Sequence, residues 1–157
     1  TSGSVPMGGV LVRKHIYDAF MNGPEHVIEL FHGYTYSAHP LACAAGLATL
    51  DLYREEGLFE RALKLEGVWA DAALGLKGLP NVLDIRPVGM TVGIDLASKP
   101  DAVGARGLAA LEAGFHEHDF MFRAVGDTLA LSPPLIVSES QIGEMFDKLG
   151  TIIKQVA

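Results

Sequence analysis

Two stretches of the chain combine residue types that can hold an anion. In the first, Gly33-Tyr34-Thr35-Tyr36-Ser37-Ala38-His39-Pro40, a loop with hydroxyls opens onto a helix. Proline suits the first helical turn, where its missing N–H is no loss. Free N–H groups of such a turn, together with the Thr35 hydroxyl, can seat a phosphate dianion. The same residues also suit a loop that only caps its helix. The second stretch ends in Arg123, after the apolar run Phe120-Met121-Phe122. A guanidinium is always charged and forks two N–H donors toward a carboxylate, so an arginine on an apolar strand edge suggests an anion clamp. The plainer use is a solvated strand-end arginine or a structural ion pair.

Other reactive residues point elsewhere. His116 and His118 lie in His116-Glu117-His118-Asp119, but a metal site wants a third ligand on a rigid element, so a solvated helix end is expected. His32 and His39 flank the Thr35 loop without a metal-ligand set. The chain has no G-x-S-x-G elbow and neither of the glycine-rich phosphate loops, G-x-x-x-x-G-K-[ST] or G-x-G-x-x-G. Cys43, the single cysteine, sits in an alanine-rich run and is expected to be a small core residue.

The elements that position these residues can be read from period and punctuation. Residues 9–12 are an apolar stretch expected to form a strand, followed by a helix over 13–21 that Asn22-Gly23-Pro24 stops. A helix from Pro40 should run to Glu56, with Gly57 as its stop. Leu58, Ala62, Leu65, Trp69, Ala72 and Leu76 then form one helical stripe. The period changes to two at Met90, Val92, Ile94 and Leu96, which with 82–86 predicts a hairpin across Pro87-Val88-Gly89. A helix over 103–118 and strands at 120–123 and 128–131, around a Gly126-Asp127 turn, come next. Ser138 with Gln141 forms a capping box ahead of a helix whose Ile142, Met145, Phe146, Leu149, Ile152, Ile153 and Val156 line one face. From residue 58 onward this order predicts an α+β sandwich, an antiparallel sheet with helices packed on one face.

Composition narrows the function classes. With 49% hydrophobic and 20% charged residues, the chain is too apolar for intrinsic disorder. No run reaches the roughly 18 apolar residues of a membrane span. The net charge of −7 disfavours nucleic-acid and anionic-membrane partners. One cysteine cannot form an internal disulfide, and with no signal peptide in view a cytoplasmic location is expected. The opening Thr1-Ser2-Gly3 without a methionine is what a cloning junction leaves, yet its continuation into an apolar stretch favours a cut through a longer protein.

Together these residues carry a resemblance. Phe31-His32-Gly33-Tyr34-Thr35-Tyr36-Ser37-Ala38-His39-Pro40-Leu41-Ala42-Cys43-Ala44-Ala45 resembles the stretch after the active-site lysine of class III pyridoxal-phosphate aminotransferases. The tyrosine-threonine-tyrosine-serine loop is similar to the branch of β-alanine and other ω-amino acid:pyruvate transaminases. Phe122-Arg123-Ala124-Val125-Gly126-Asp127-Thr128-Leu129, then Ser132-Pro133-Pro134-Leu135-Ile136-Val137, resembles the family's C-terminal signature. Ser4-Val5-Pro6-Met7-Gly8-Gly9 resembles the segment just after its lysine.

The resemblance implies the C-terminal small domain of the type I pyridoxal-phosphate fold plus an N-terminal remnant of the large domain. Residues 1–57 would be the end of the large cofactor-binding domain: strand, short helix, phosphate-contact loop and linking helix. Residues 58–157 would be the small α+β domain. It further implies that Thr35, assisted by a backbone N–H near Tyr34, contacts the phosphate of pyridoxal 5'-phosphate in a neighbouring subunit of a homodimer. Arg123 matches the arginine that binds the carboxylate of an amino donor or of a keto acid such as pyruvate. The family's Schiff-base lysine would precede the residue matching Thr1, so the chain alone is expected to be inactive. The alternative within the same superfamily is an aminomutase or decarboxylase, and an alternative of a different class is a stand-alone α+β binding or assembly domain.

Overall fold

The alternation of apolar and polar residues after Met90 does become a strand in the computed structural model, which describes residues 1–30 and 32–157. Phe31, first residue of the quoted loop motif, lies outside the described residues. The helices are α1 (Lys14–Phe20), α2 (Pro40–Glu55), α3 (Leu58–Leu74), α4 (Ala105–Glu117) and α5 (Glu139–Gln155). The strands are β1 (Val82–Val88), β2 (Thr91–Leu96), β3 (Arg123–Val125) and β4 (Thr128–Leu131). The chain divides into two compact units, Thr1–Glu56 and Gly57–Ala157.

Gly57–Ala157 is a four-stranded antiparallel sheet, order β1-β2-β4-β3, under α3, α4 and α5. Because side chains alternate along a strand, Val92, Ile94, Leu96, Leu129 and Leu131 all point to one face and are buried there. Trp69 of α3 is fully buried and meets Phe146 of α5 edge-on, ring centroids 4.9 Å apart. Its indole N–H is buried with no partner among the described residues. The capping box at α5 is reciprocal: Gln141 N donates to Ser138 Oγ at 3.2 Å, and Ser138 N donates to Gln141 Oε1 at 2.9 Å. The expected α+β architecture is thus the observed one. β1 runs through Pro87, longer than expected, and it can do so because it is an edge strand, where a lost N–H breaks no ladder.

Thr1–Glu56 holds α1, α2 and the loops around them. α1 buries nothing, and Ala42 is the single buried hydrophobic residue of the unit among those described. Two expectations are corrected. Residues 9–12 form no strand: a strand exists by pairing, and no ladder partner for this stretch lies among the described residues, where Val10 and Leu11 are 90% and 97% exposed. Cys43 is half-buried, not a core residue, because among the described residues of its unit Ala42 is the only buried hydrophobic one. Among the described residues, no helix is long and apolar enough to cross a membrane.

Candidate functional site

The Thr35 loop folds as two linked turns. Ser37 N donates to Tyr34 O at 3.0 Å and His39 N to Tyr36 O at 3.2 Å. Two non-glycine residues, Tyr34 (φ +48°) and Ala38 (φ +57°), adopt left-handed backbone. Such conformations cost roughly 1–3 kcal/mol each and cluster where ligands are clamped. The ring of His32 packs edge-on against Tyr34, centroids 4.9 Å apart. At the start of α2, His39 provides no side-chain cap, so the first-turn N–H groups of Leu41 and Ala42 have no partner among the described residues.

A groove of about 890 Å³ opens over this loop, walled on one side by Val5-Pro6-Met7-Gly8 and on the other by residues 32–39. Its polar lining consists of hydroxyls and imidazoles, including Thr35, Ser37, His32 and His39, with no carboxylate. The Thr35 hydroxyl makes no hydrogen bond among the described residues. A dianion needs N–H and O–H donors, an absence of competing anions and a helix N-terminus, so this donor set fits a phosphate group.

Arg123 lies in the other unit, on the sheet face away from the helices. Strand pairing places Arg86, Gly93, Ala130 and Arg123 in one cross-strand row on that face. The two arginines differ. Arg86 Nη1 and Nη2 donate to Asp95 at 2.5 and 2.8 Å, and Nη1 also reaches Asp84 at 2.7 Å. Thr128 Oγ1 donates to Asp95 Oδ1 at 2.7 Å. The Arg86 hydrogen bonds, then that of Thr128, hold the Asp95 carboxyl at about 2. The same contacts, Asp95 first and Asp84 second, raise the affinity of Arg86 for its proton. Arg123 is exposed, and its side chain has no ion pair or hydrogen-bond partner among the described residues. Its strand also starts later than expected: Phe122 is buried in the core, and pairing with β4 begins only at Arg123 opposite Ala130. Arg123 therefore opens a strand where it was expected to close one.

Sequence reasoning missed Asp127. Its carboxylate sits at the β3–β4 turn and accepts Gly104 N at 2.7 Å and Gly107 N at 2.9 Å, at the start of α4. The N–H of Gly104, the Ser98 side chain and the N–H of Gly107 hold it at about 2. Contact is so close that a Cβ on Gly107 would come within 2.1 Å of Gly126 O. Only the Gly126-Asp127 pair hinted at this, as a turn.

The remaining candidates take no part. His116 is exposed at the end of α4, while His118 Nε2 pairs with Gln155 Oε1 at 3.0 Å. Among the described residues, no three His, Cys, Asp or Glu side chains gather to hold a metal. Lys14, Lys64, Lys77 and Lys154 are exposed, and Lys99 and Lys148 half-buried.

The family model described as aminotransferase class-III matches residues 1–153. An omega-aminotransferase of Caulobacter vibrioides is 49% identical over 156 residues, covering 99% of this chain and 35% of its own length. A beta-alanine–pyruvate aminotransferase of Pseudomonas aeruginosa is 39% identical over 161 residues, with 100% and 35% covered. The crystal structure of an (S)-enantioselective omega-transaminase from Thermomicrobium roseum superposes with a TM-score of 0.85 at 27% identity, covering 99% of this chain and 35% of that one. The chain spans about a third of the length of the curated relatives it matches.

Proposed function

Since the chain belongs to the class-III aminotransferase family, we propose that it is the C-terminal part of an enzyme that moves an amino group from an ω-amino acid or amine to pyruvate. Class-III aminotransferases are enzymes dependent on pyridoxal 5'-phosphate. When bound, that group supplies the electron sink for exchanging an amino group between two carbon skeletons. In this reading the Thr35 hydroxyl and a backbone N–H near Tyr34 donate to its phosphate, in the neighbouring subunit of a homodimer. Arg123 holds the substrate carboxylate with paired N–H donors and so orients the reacting carbon. Residues 1–57 belong to the large domain and 58–157 to the small one. The exposed apolar side chains of Thr1–Glu56, among them Val10, Leu11 and Leu41, support this, since apolar surface of that kind marks contact with further protein. In this reading the 157 residues alone are inactive, because they span about a third of the length of the relatives they match.

The observation that carries the reading is the contrast on the outer sheet face. Arg86 is neutralised by two aspartates, whereas Arg123 presents a cation without a counter-charge among the described residues. The names of the Caulobacter and Pseudomonas relatives support the donor and acceptor classes. The test is stoichiometric. The full-length enzyme, given β-alanine and pyruvate, should form alanine mole for mole with donor lost. Carbon dioxide release without alanine formation would instead identify a decarboxylase, and an amino group shifted within the donor without alanine an aminomutase.

A further inference from the structure

We propose that Asp127 is a positioning residue for Arg123: by tying the β3–β4 turn to the start of α4, its carboxylate sets where the edge strand aims the guanidinium. This rests on the reading of Arg123 as the carboxylate clamp. β3 has three residues and pairs on one side only, with β4. So short an edge strand has little to hold it in place. Arg123 cannot orient itself through a partner, because none is present among the described residues. Its direction must come from the backbone on either side.

On the N-terminal side, Phe122 is buried and anchors the chain in the core. On the C-terminal side the strand ends at a two-residue turn whose first residue, Gly126, has φ +59°, the position where a hairpin of this length takes glycine. The turn is then fastened by Asp127, through hydrogen bonds to Gly104 N (2.7 Å) and Gly107 N (2.9 Å). These are charge-assisted bonds to otherwise unpaired helix-start donors, on a side chain only 8% exposed. Its low pKa keeps the tether ionised at any pH near neutrality. Gly107 completes the arrangement by letting the turn lie directly on the helix. With Phe122 and Asp127 both fixed, the three residues between them, before Gly126, have no room to swing. Substrate-positioning groups displaced by about 1 Å can lose on the order of a hundredfold in rate, so a tether of this kind is functionally visible.

The experiment uses the full-length enzyme and compares wild type with Asp127→Asn, which keeps one acceptor oxygen but turns an NH2 group toward a backbone N–H. Asp127→Glu keeps both oxygens and the charge, and serves if the Asn variant fails to fold. Two measurements are made, peptide-level hydrogen exchange and KM for substrates with and without a carboxylate. The expected result is faster exchange at 123–125, with KM raised about tenfold for carboxylate substrates selectively. Unchanged exchange at 123–125 overturns the proposal, as does a loss equal for both substrate types. Arg123→Ala run in parallel separates the two ideas. If that variant loses as much on simple amines as on carboxylate substrates, the clamp falls, while exchange at 123–125 still decides whether Asp127 holds the strand.

Discussion

Gly57–Ala157 and Thr1–Glu56 contain similar kinds of apolar residues and do opposite things with them. In the C-terminal unit, Trp69, Ile94, Leu129, Ile142, Leu149, Ile152 and Ile153 are fully buried around one core. In the N-terminal unit, Ala42 alone is buried among the described residues, while Leu41 and Leu47 of α2 are 69% and 65% exposed. Apolar content does not stabilise a fold; apolar surface removed from water does. The difference also separates the two candidate residues: Arg123 belongs to the unit with the buried core, whereas Thr35 belongs to the unit whose large apolar side chains are mostly exposed among the described residues.

The largest expected effect is on hydrogen exchange in the 157-residue chain. Amides of α5, β2 and β4 should exchange orders of magnitude more slowly than those of residues 8–30, since local opening free energies run from near zero to the full stability of the core. Uniformly slow exchange in a sample shown to be monomeric would erase the contrast. Next in size is a pair of truncations read by denaturant unfolding. Trp69→Ala should cost about 3–5 kcal/mol, and Leu11→Ala less than about 0.5 kcal/mol. Comparable losses would place Leu11 in a core.

Two smaller effects sharpen the picture inside the C-terminal unit. Gly107→Ala should cost about 1–3 kcal/mol, because its Cβ would fall 2.1 Å from Gly126 O. Gly67→Ala on α3, where nothing lies within 4 Å, should stabilise by up to about 1 kcal/mol, and the two melting temperatures check the sign of each. The acid limb is the last. Asp95 and Asp127 titrate at about 2 when folded, against the ordinary 3.8, so their contribution is fully present above about pH 4 and is lost as pH falls toward 2. Asp127→Asn should flatten that limb; an identical pH profile would show that the Asp127 tether adds nothing to folding.

What was legible in the sequence was local. The α5 capping box spans four residues, the β2 alternation seven, and each appears as expected because neighbours in sequence suffice to form it. The Thr35 loop was recognisable as a loop leading into a helix, but the left-handed backbone at Tyr34 and Ala38 was not, since neither residue favours it. Long-range terms account for the rest. The strand expected at 9–12 fails for want of a ladder partner among the described residues. The β3 start moved because Phe122 turns into the core and β4 pairs only from Arg123. Asp127 was invisible because its two partners lie 23 and 20 residues away.

The central claim is that Arg123 is the carboxylate clamp, and Arg123→Ala in the full-length enzyme tests it most directly. Steady-state kinetics would be measured for a carboxylate-bearing substrate and for a simple amine. Removing a charge-assisted, two-pronged contact costs on the order of 1.5–3 kcal/mol, so kcat/KM for the carboxylate substrate should fall roughly tenfold to over a hundredfold, far more than for the amine. An equal fall for both substrates would show that Arg123 supports the fold and does not hold the substrate.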